Sequence, residues 1–176
     1  MQVRTTIAPI FVSLAVVLAA LLAAPGSASA QAGPPPGVRL DVHGDFGWYH
    51  SAGAGMRVDI PIVREGFIRS ANVSDDLSIS PGLDLFSMYG NGYHGIGLMP
   101  IVMVQWNIYF ARQFSVFAEL GLVLLFGPND WRQGTFDSYI GPAFQLGFRW
   151  HFSDAVALLL RGGWPTGGQI GLAFDL

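Results

Sequence analysis

From residue 38 onward the chain alternates. Even positions read Val38, Leu40, Val42, Gly44, Phe46 and Trp48, while odd positions read Arg39, Asp41, His43, Asp45, Gly47 and Tyr49. Period two presents one apolar and one polar face and predicts a β-strand. The pattern resumes with Ala54, Met56, Val58, Ile60 and Ile62 against Gly53, Gly55, Arg57 and Asp59. A third segment sets Leu77, Ile79, Leu83 and Leu85 against Ser78, Ser80, Gly82 and Asp84. In the fourth, Ile96, Leu98, Val102, Val104, Trp106 and Ile108 share a face, with Gln105, Asn107 and Tyr109 opposite. The fifth spans 114–126, with Ser115, Glu119 and Gly121 on its polar side. In the sixth, Ile140, Phe144, Leu146, Phe148, Trp150 and Phe152 oppose Gly141, Gln145, Gly147, Arg149 and His151. A seventh, 156–164, carries Arg161 on its minority face. The eighth sets Ile170, Leu172, Phe174 and Leu176 against Gln169, Gly171, Ala173 and Asp175. Most run about 9–13 residues, the length a tilted strand needs to cross a bilayer. The predicted fold is all-β: an eight-stranded antiparallel up-and-down transmembrane barrel over 38–176.

The start of the chain reads differently. Arg4 precedes an apolar run over 7–24, Pro25-Gly26 ends any helix there, and Ala28-Ser29-Ala30 is a small-x-small cleavage site. Residues 1–30 are therefore expected to be a signal peptide, and 31–37 a Pro-rich leader. The competing reading is an uncleaved membrane anchor, which the absence of a stop-transfer pattern after Ala30 disfavours. The mature chain then carries eight Arg against twelve acids, a formal charge of −4. Its basic residues include no Lys, so there is no footprint for nucleic acid. The absence of Cys excludes a disulfide scaffold and a thiolate metal site.

Charge placement sharpens the picture. Ten mature charges fall in the segments, namely Arg39, Asp41, Asp45, Arg57, Asp59, Asp84, Glu119, Arg149, Arg161 and Asp175, and all lie on the polar face. The other ten (Arg64, Glu65, Arg69, Asp75, Asp76, Arg112, Asp130, Arg132, Asp137 and Asp154) are expected in connections. A charge facing lipid at mid-membrane costs about 2–4 kcal/mol, and the apolar face carries none. The polar face is also crowded with glycines, as a narrow lumen requires beside charged side chains. On the apolar face, Trp48 and Trp164 mark one end, and Trp106, Phe110, Trp150 and Phe152 the other, in the manner of two interfacial girdles. The apolar face is thus expected outward.

Connections at 111–113 and 153–154 are tight and read as periplasmic; 87–94 and 127–138 read as extracellular loops. The connection 64–76 is long for a periplasmic turn. Plugging the barrel base, packing beneath it and binding a partner all remain open to it. A first hairpin centred on Ser51 would pair Asp45 with Arg57 and His43 with Asp59, and a turn at Arg112 would face Gln105 with Glu119. Closing the first segment on the eighth would bring Arg39 to Asp175.

The expected lumen network is Arg39, Asp41, His43, Asp45, Arg57, Asp59, Asp84, Gln105, Glu119, Gln145, Arg149, His151, Arg161 and Asp175, read as structural salt bridges filling a small barrel. A proton or ion route through His43, His151, Asp59 and Glu119 is the competing reading. Met99, Ile101, Met103, Phe117, Val123 and Leu125 make part of the lumen apolar and argue against a wide water channel. No His spacing suggests a metal site. No cofactor motif is present, and no catalytic set is assigned. His50, Ser51, His94 and Asp130 lie near the outer end, but His50 and Ser51 are chain neighbours, which does not supply nucleophile–base geometry.

The signal peptide, eight alternating segments and aromatic ends resemble the small bacterial outer-membrane barrels of the OmpA, OmpX and OmpW type, over residues 38–176. The chain departs from them at Phe174-Asp175-Leu176, where such barrels finish on an aromatic residue. The runs Gln105-Trp106-Asn107-Ile108-Tyr109-Phe110 with Ser115-Val116-Phe117, and 149–158, look like a group of barrel proteins from deltaproteobacteria such as myxobacteria. That likeness implies an outer-membrane location and the fold, and no activity. The function expected is a structural or surface-interaction barrel with a mostly plugged lumen. The alternatives are a narrow, porin-like pore or small hydrophobic-molecule conduit, and a lipid-modifying enzyme. Expected partners are outer-membrane lipid, the barrel-assembly machinery and a surface or periplasmic protein, the surface contact falling to 88–94 and 128–136.

Overall fold

The computed structural model describes residues 37–47, 51–68, 73–90, 93–111, 113–130 and 135–176. The expected signal peptide and most of the leader lie outside them, as do Trp48 and His50. Eight strands follow in order: β1 Arg39–Phe46, β2 Ser51–Val63, β3 Ser74–Gly90, β4 Tyr93–Ala111, β5 Phe114–Asp130, β6 Thr135–His151, β7 Val156–Trp164 and β8 Gly167–Asp175. Each pairs antiparallel with its chain neighbours, and β1 pairs with β8, so the sheet closes with no free edge strand. Arg39 faces Asp175 across the seam as expected, and Leu176 N donates to Val38 O at 2.9 Å.

The two faces separate as the alternation requires. Inward positions carry Arg57, Arg149, Asp84 and Ser80, all fully buried. Outward positions carry large apolar side chains left exposed, including Leu120 at 68%, Leu146 at 67% and Phe46 at 61%. This inverts the ordinary soluble arrangement, in which Leu and Phe are buried and Arg and Asp are not.

Turn chemistry sets the strand ends. At the β6–β7 connection, Phe152 N donates to Val156 O, and Ser153 Oγ accepts from the amides of Ala155 and Val156. The β7–β8 turn holds a cis Trp164–Pro165 bond, and Gly167 there adopts φ +79°, a region that glycine enters without a Cβ penalty. A register shift interrupts the ladder between Tyr109 and Ala111 before the tight β4–β5 turn.

Two expectations need correction. First, β1 and β2 pair as Asp41↔Arg57, His43↔Gly55 and Asp45↔Gly53, four residues away from the pairing expected for a hairpin centred on Ser51. An even slip keeps every side chain on its face, so alternation cannot detect it. The observed register sets two glycines opposite His43 and Asp45 rather than a second layer of charged side chains.

Second, the central strands are longer than the alternating cores suggested, at 17 residues for β3, β5 and β6 and 19 for β4. Segments 87–90 and 93–94 are paired strand, Gly90 facing Tyr93, and Asp130 faces Thr135. Asp75, Asp76, Asp130 and Asp137 therefore lie in strands rather than connections.

In the described part of the connection after β2, residues 66–68 lie against the outward side of β3 at Asp75. Asp75 shares the outward parity of Leu77 and Ile79, yet it is 2% exposed, because residues 66–68 fold over it. Its carboxylate accepts from the amides of Phe67 and Ile68, each at 2.9 Å, and from Trp106 Nε1 at 2.7 Å. Phe67 meets the Trp106 ring edge-on at 6.5 Å between centroids. Near its end the outward face thus holds the Asp75 carboxylate, satisfied by three N–H donors.

Candidate functional site

The inward residues form one hydrogen-bonded network running along the barrel. At the end holding Arg39 and Asp175, Arg39 Nε donates to Asp175 Oδ1 at 2.7 Å, and its Nη1 lies 3.9 Å from Asp59 Oδ2. Asp59 accepts from Arg149 Nη2 at 2.7 Å and from the Ser80 hydroxyl. Arg149 also donates to Asn107 Oδ1 at 2.7 Å and Gln105 Oε1 at 2.9 Å, and its guanidinium lies 4.0 Å above the Phe117 ring. Asp76 accepts from Asn107 Nδ2 at 2.7 Å and from Tyr109 Oη at 2.8 Å. His151 Nε2 is 3.8 Å from Asp175 Oδ2.

Midway along, Glu119 sits between two cations. Its Oε2 accepts from Arg57 Nη1 and its Oε1 from Arg161 Nη1, each at 3.1 Å. Gln105 Nε2 donates to the same carboxylate, as the expected Gln105↔Glu119 register allows. Arg57 donates further to Gln145 Oε1 at 2.7 Å, and Arg161 approaches Asp41 at 3.3 Å. Gln169 accepts from Arg161 and donates to Asp45. His43 bridges two acids, with Nδ1 2.6 Å from Asp41 Oδ1 and Nε2 3.0 Å from Asp84 Oδ1. Beside this network, Met99, Ile101, Met103, Val123 and Ala143 form a buried apolar cluster, with Phe86 and Leu125 against it.

All fourteen residues expected in the lumen lie on the inward face, and the network joins them through these contacts. His43 and His151 sit in different parts of it, His43 with Asp41 and Asp84 and His151 with Asp175. Ser78, Ser80, Asn107, Tyr109 and Gln169 belong as well, and each stands at a polar-face position that parity alone identifies. Asp76 continues the same parity one step before the recognised third segment, while Thr166 lies in a turn, where parity says nothing. Among the described residues, seven carboxylates (Asp41, Asp45, Asp59, Asp76, Asp84, Glu119 and Asp175) face four arginines (Arg39, Arg57, Arg149 and Arg161) inside the barrel.

Trp106, Phe110, Trp150 and Phe152 stand outward at the end that holds Arg39, and Trp164 at the opposite end. Trp150 stacks on Phe114 at 6.4 Å and meets Phe152 edge-on at 5.5 Å. Of the residues weighed for catalysis, Ser51, His94 and Asp130 fall in strands, but their side chains lie outside the description.

These features define a closed eight-stranded barrel with an apolar exterior and a charged interior. No protein-family model matches the chain, and no curated protein matches it. Among solved structures, it is similar to the N-terminal β-barrel domain of Pseudomonas aeruginosa OprF. The two share 13% identity over 79% of this chain and 96% of that one, with a TM-score of 0.52. At that identity the likeness establishes the fold.

Proposed function

We propose that the protein is an integral outer-membrane barrel with a structural or surface-interaction role and a plugged lumen. The observation that carries this reading is the inverted burial. In water, each large outward side chain would forgo about 1.5–3 kcal/mol of burial, and dozens of square ångströms of apolar surface per residue would be continuous around the wall. In a bilayer the same belt is solvated by lipid tails, and around the closed part of the sheet neighbouring strands pair their backbone amides. The fold shared with the OprF domain agrees with this location. Residues 1–30 then serve export, outer-membrane lipid surrounds the belt, and the barrel-assembly machinery inserts it.

A plugged lumen is supported by the side chains of Arg57, Arg149 and Arg161, each without solvent exposure. A surface role is supported by the uneven rim. The β6–β7 ladder stops at Phe144↔Trp164, whereas β6 continues back to Thr135 paired with β5 alone. The β5–β6 hairpin thus rises above β7 and presents a strand edge, a form that other polypeptides pair with.

Cell fractionation tests the location, with gel mobility testing the barrel. The expected result is recovery with outer membranes and a mobility difference between boiled and unboiled samples. Recovery in the soluble periplasmic fraction with a single mobility would refute the proposal.

A further inference from the structure

We propose that His43, Asp45 and Asp84 form a binding site for a first-row divalent cation of the zinc type, buried on the inward face of the barrel. The three residues come from two strands that are not neighbours. His43 and Asp45 belong to β1 and Asp84 to β3, with β2 between them. They meet because β2 places glycine there. Gly55 faces His43 on one side and Asp84 on the other, and Gly53 faces Asp45. A Cβ on Gly55 would lie 1.9 Å from Asp84 Oδ1 and 2.7 Å from His43 Nε2, and one on Gly53 would lie 3.0 Å from Asp45 Oδ2. The space vacated by two side chains is occupied by three ligand-type groups whose donor atoms all lie within 4.8 Å of one another.

Two further observations point to a cation. Asp45 Oδ2 and Asp84 Oδ2 are buried and have no hydrogen-bond partner among the described residues, although Asp84 Oδ2 has Arg57 Nη2 at 3.6 Å. Asp45 is 5% exposed and Asp84 fully buried. Buried carboxylate oxygens lacking a donor are costly, and a cation would satisfy both. His43 is also held as metal-binding histidines are. Its Nδ1 meets Asp41 Oδ1 at 2.6 Å, the outer-shell carboxylate contact, while its Nε2 faces the site, 3.0 Å from Asp84 Oδ1, a contact that a bound cation would replace. One imidazole nitrogen with two carboxylates matches zinc-type coordination, whereas an all-oxygen set would favour calcium or magnesium. A divalent ion would also offset the excess of acids over arginines in the lumen.

The tag-free, full-length chain is refolded into detergent micelles with Zn2+ or with EDTA, desalted, and assayed for zinc by mass spectrometry. About one zinc per folded chain is expected, falling about tenfold or more in H43Q and D84N, with gel mobility reporting whether each variant has folded. Folded wild type without zinc overturns the proposal, as does zinc retained equally in both variants, which would mark an adventitious ion only. X-ray absorption of the zinc-loaded wild type needs no variant. A shell of one imidazole with oxygen ligands supports the site, and an all-oxygen or two-imidazole shell refutes it.

Discussion

At the scale of single residues, Glu119 is the element on which two guanidinium groups converge. Replacing it by Gln keeps the shape but leaves Arg57 and Arg161 facing each other without the carboxylate between them. Breaking a buried ion pair from one side typically costs about 3–5 kcal/mol. The denaturant midpoint of E119Q is expected to drop accordingly, and an unchanged midpoint would contradict the network. Glycines on the inward face give a second test. A Cβ on Gly147 would sit 2.0 Å from Phe117 Cζ, and Phe117 in turn lies beneath Arg149. On the outward face, a Cβ on Gly162 would meet nothing nearer than a backbone oxygen at 3.6 Å. Gly147→Ala should destabilise the barrel by about 1–3 kcal/mol through overpacking, while Gly162→Ala should be neutral in the same unfolding measurement. Inward membership was legible in the sequence because parity assigns each residue to a face. The identity of each partner was not. Arg57 faces Asp41 on the neighbouring strand but donates to Glu119 and Gln145 across the lumen, and no one-dimensional pattern carries contacts across a barrel interior.

At the scale of strands and connections, register is the testable quantity. Cysteines replacing the outward pair Val42 and Met56 are expected to crosslink, because these positions face each other. Cysteines at Phe46 and Met56, which would face each other for a hairpin centred on Ser51, should not. The reverse outcome would overturn the register. The segment after β2 supplies an independent test. Asp75 holds the amides of Phe67 and Ile68, so Asp75→Ala should speed tryptic cleavage after the exposed Arg64, with gel mobility of the barrel retained. An unaltered cleavage rate would mean that Asp75 does not hold this segment. Strands β7 and β8 could be read closely from the sequence, since clean alternation and a Pro-Thr-Gly turn bracket them. The extensions of β3 to β6 could not, because residues 86–95 and 127–139 carry Gly, Ser, Asn and Pro in place of the alternation, while the ladder nevertheless continues into them. Asp75 escaped as well: an acid on the outward face reads as a connection residue until the covering backbone is seen.

At the scale of the whole molecule, placement of charge and apolar area defines the protein's surroundings. The interior pairs its arginines in both directions along the barrel and backs them with an apolar cluster, so planar bilayers containing the folded protein should show no steady single-channel conductance. A reproducible open state would contradict the plug. The exterior makes the larger claim, that the wall from Val102 and Leu122 to Leu172 contacts lipid. Nitroxide labels at these three outward positions, in protein reconstituted into vesicles, test it directly through relaxation by oxygen and by a water-soluble nickel complex. High oxygen and low nickel accessibility at all three is the predicted result; nickel accessibility matching a water-exposed control would contradict the account.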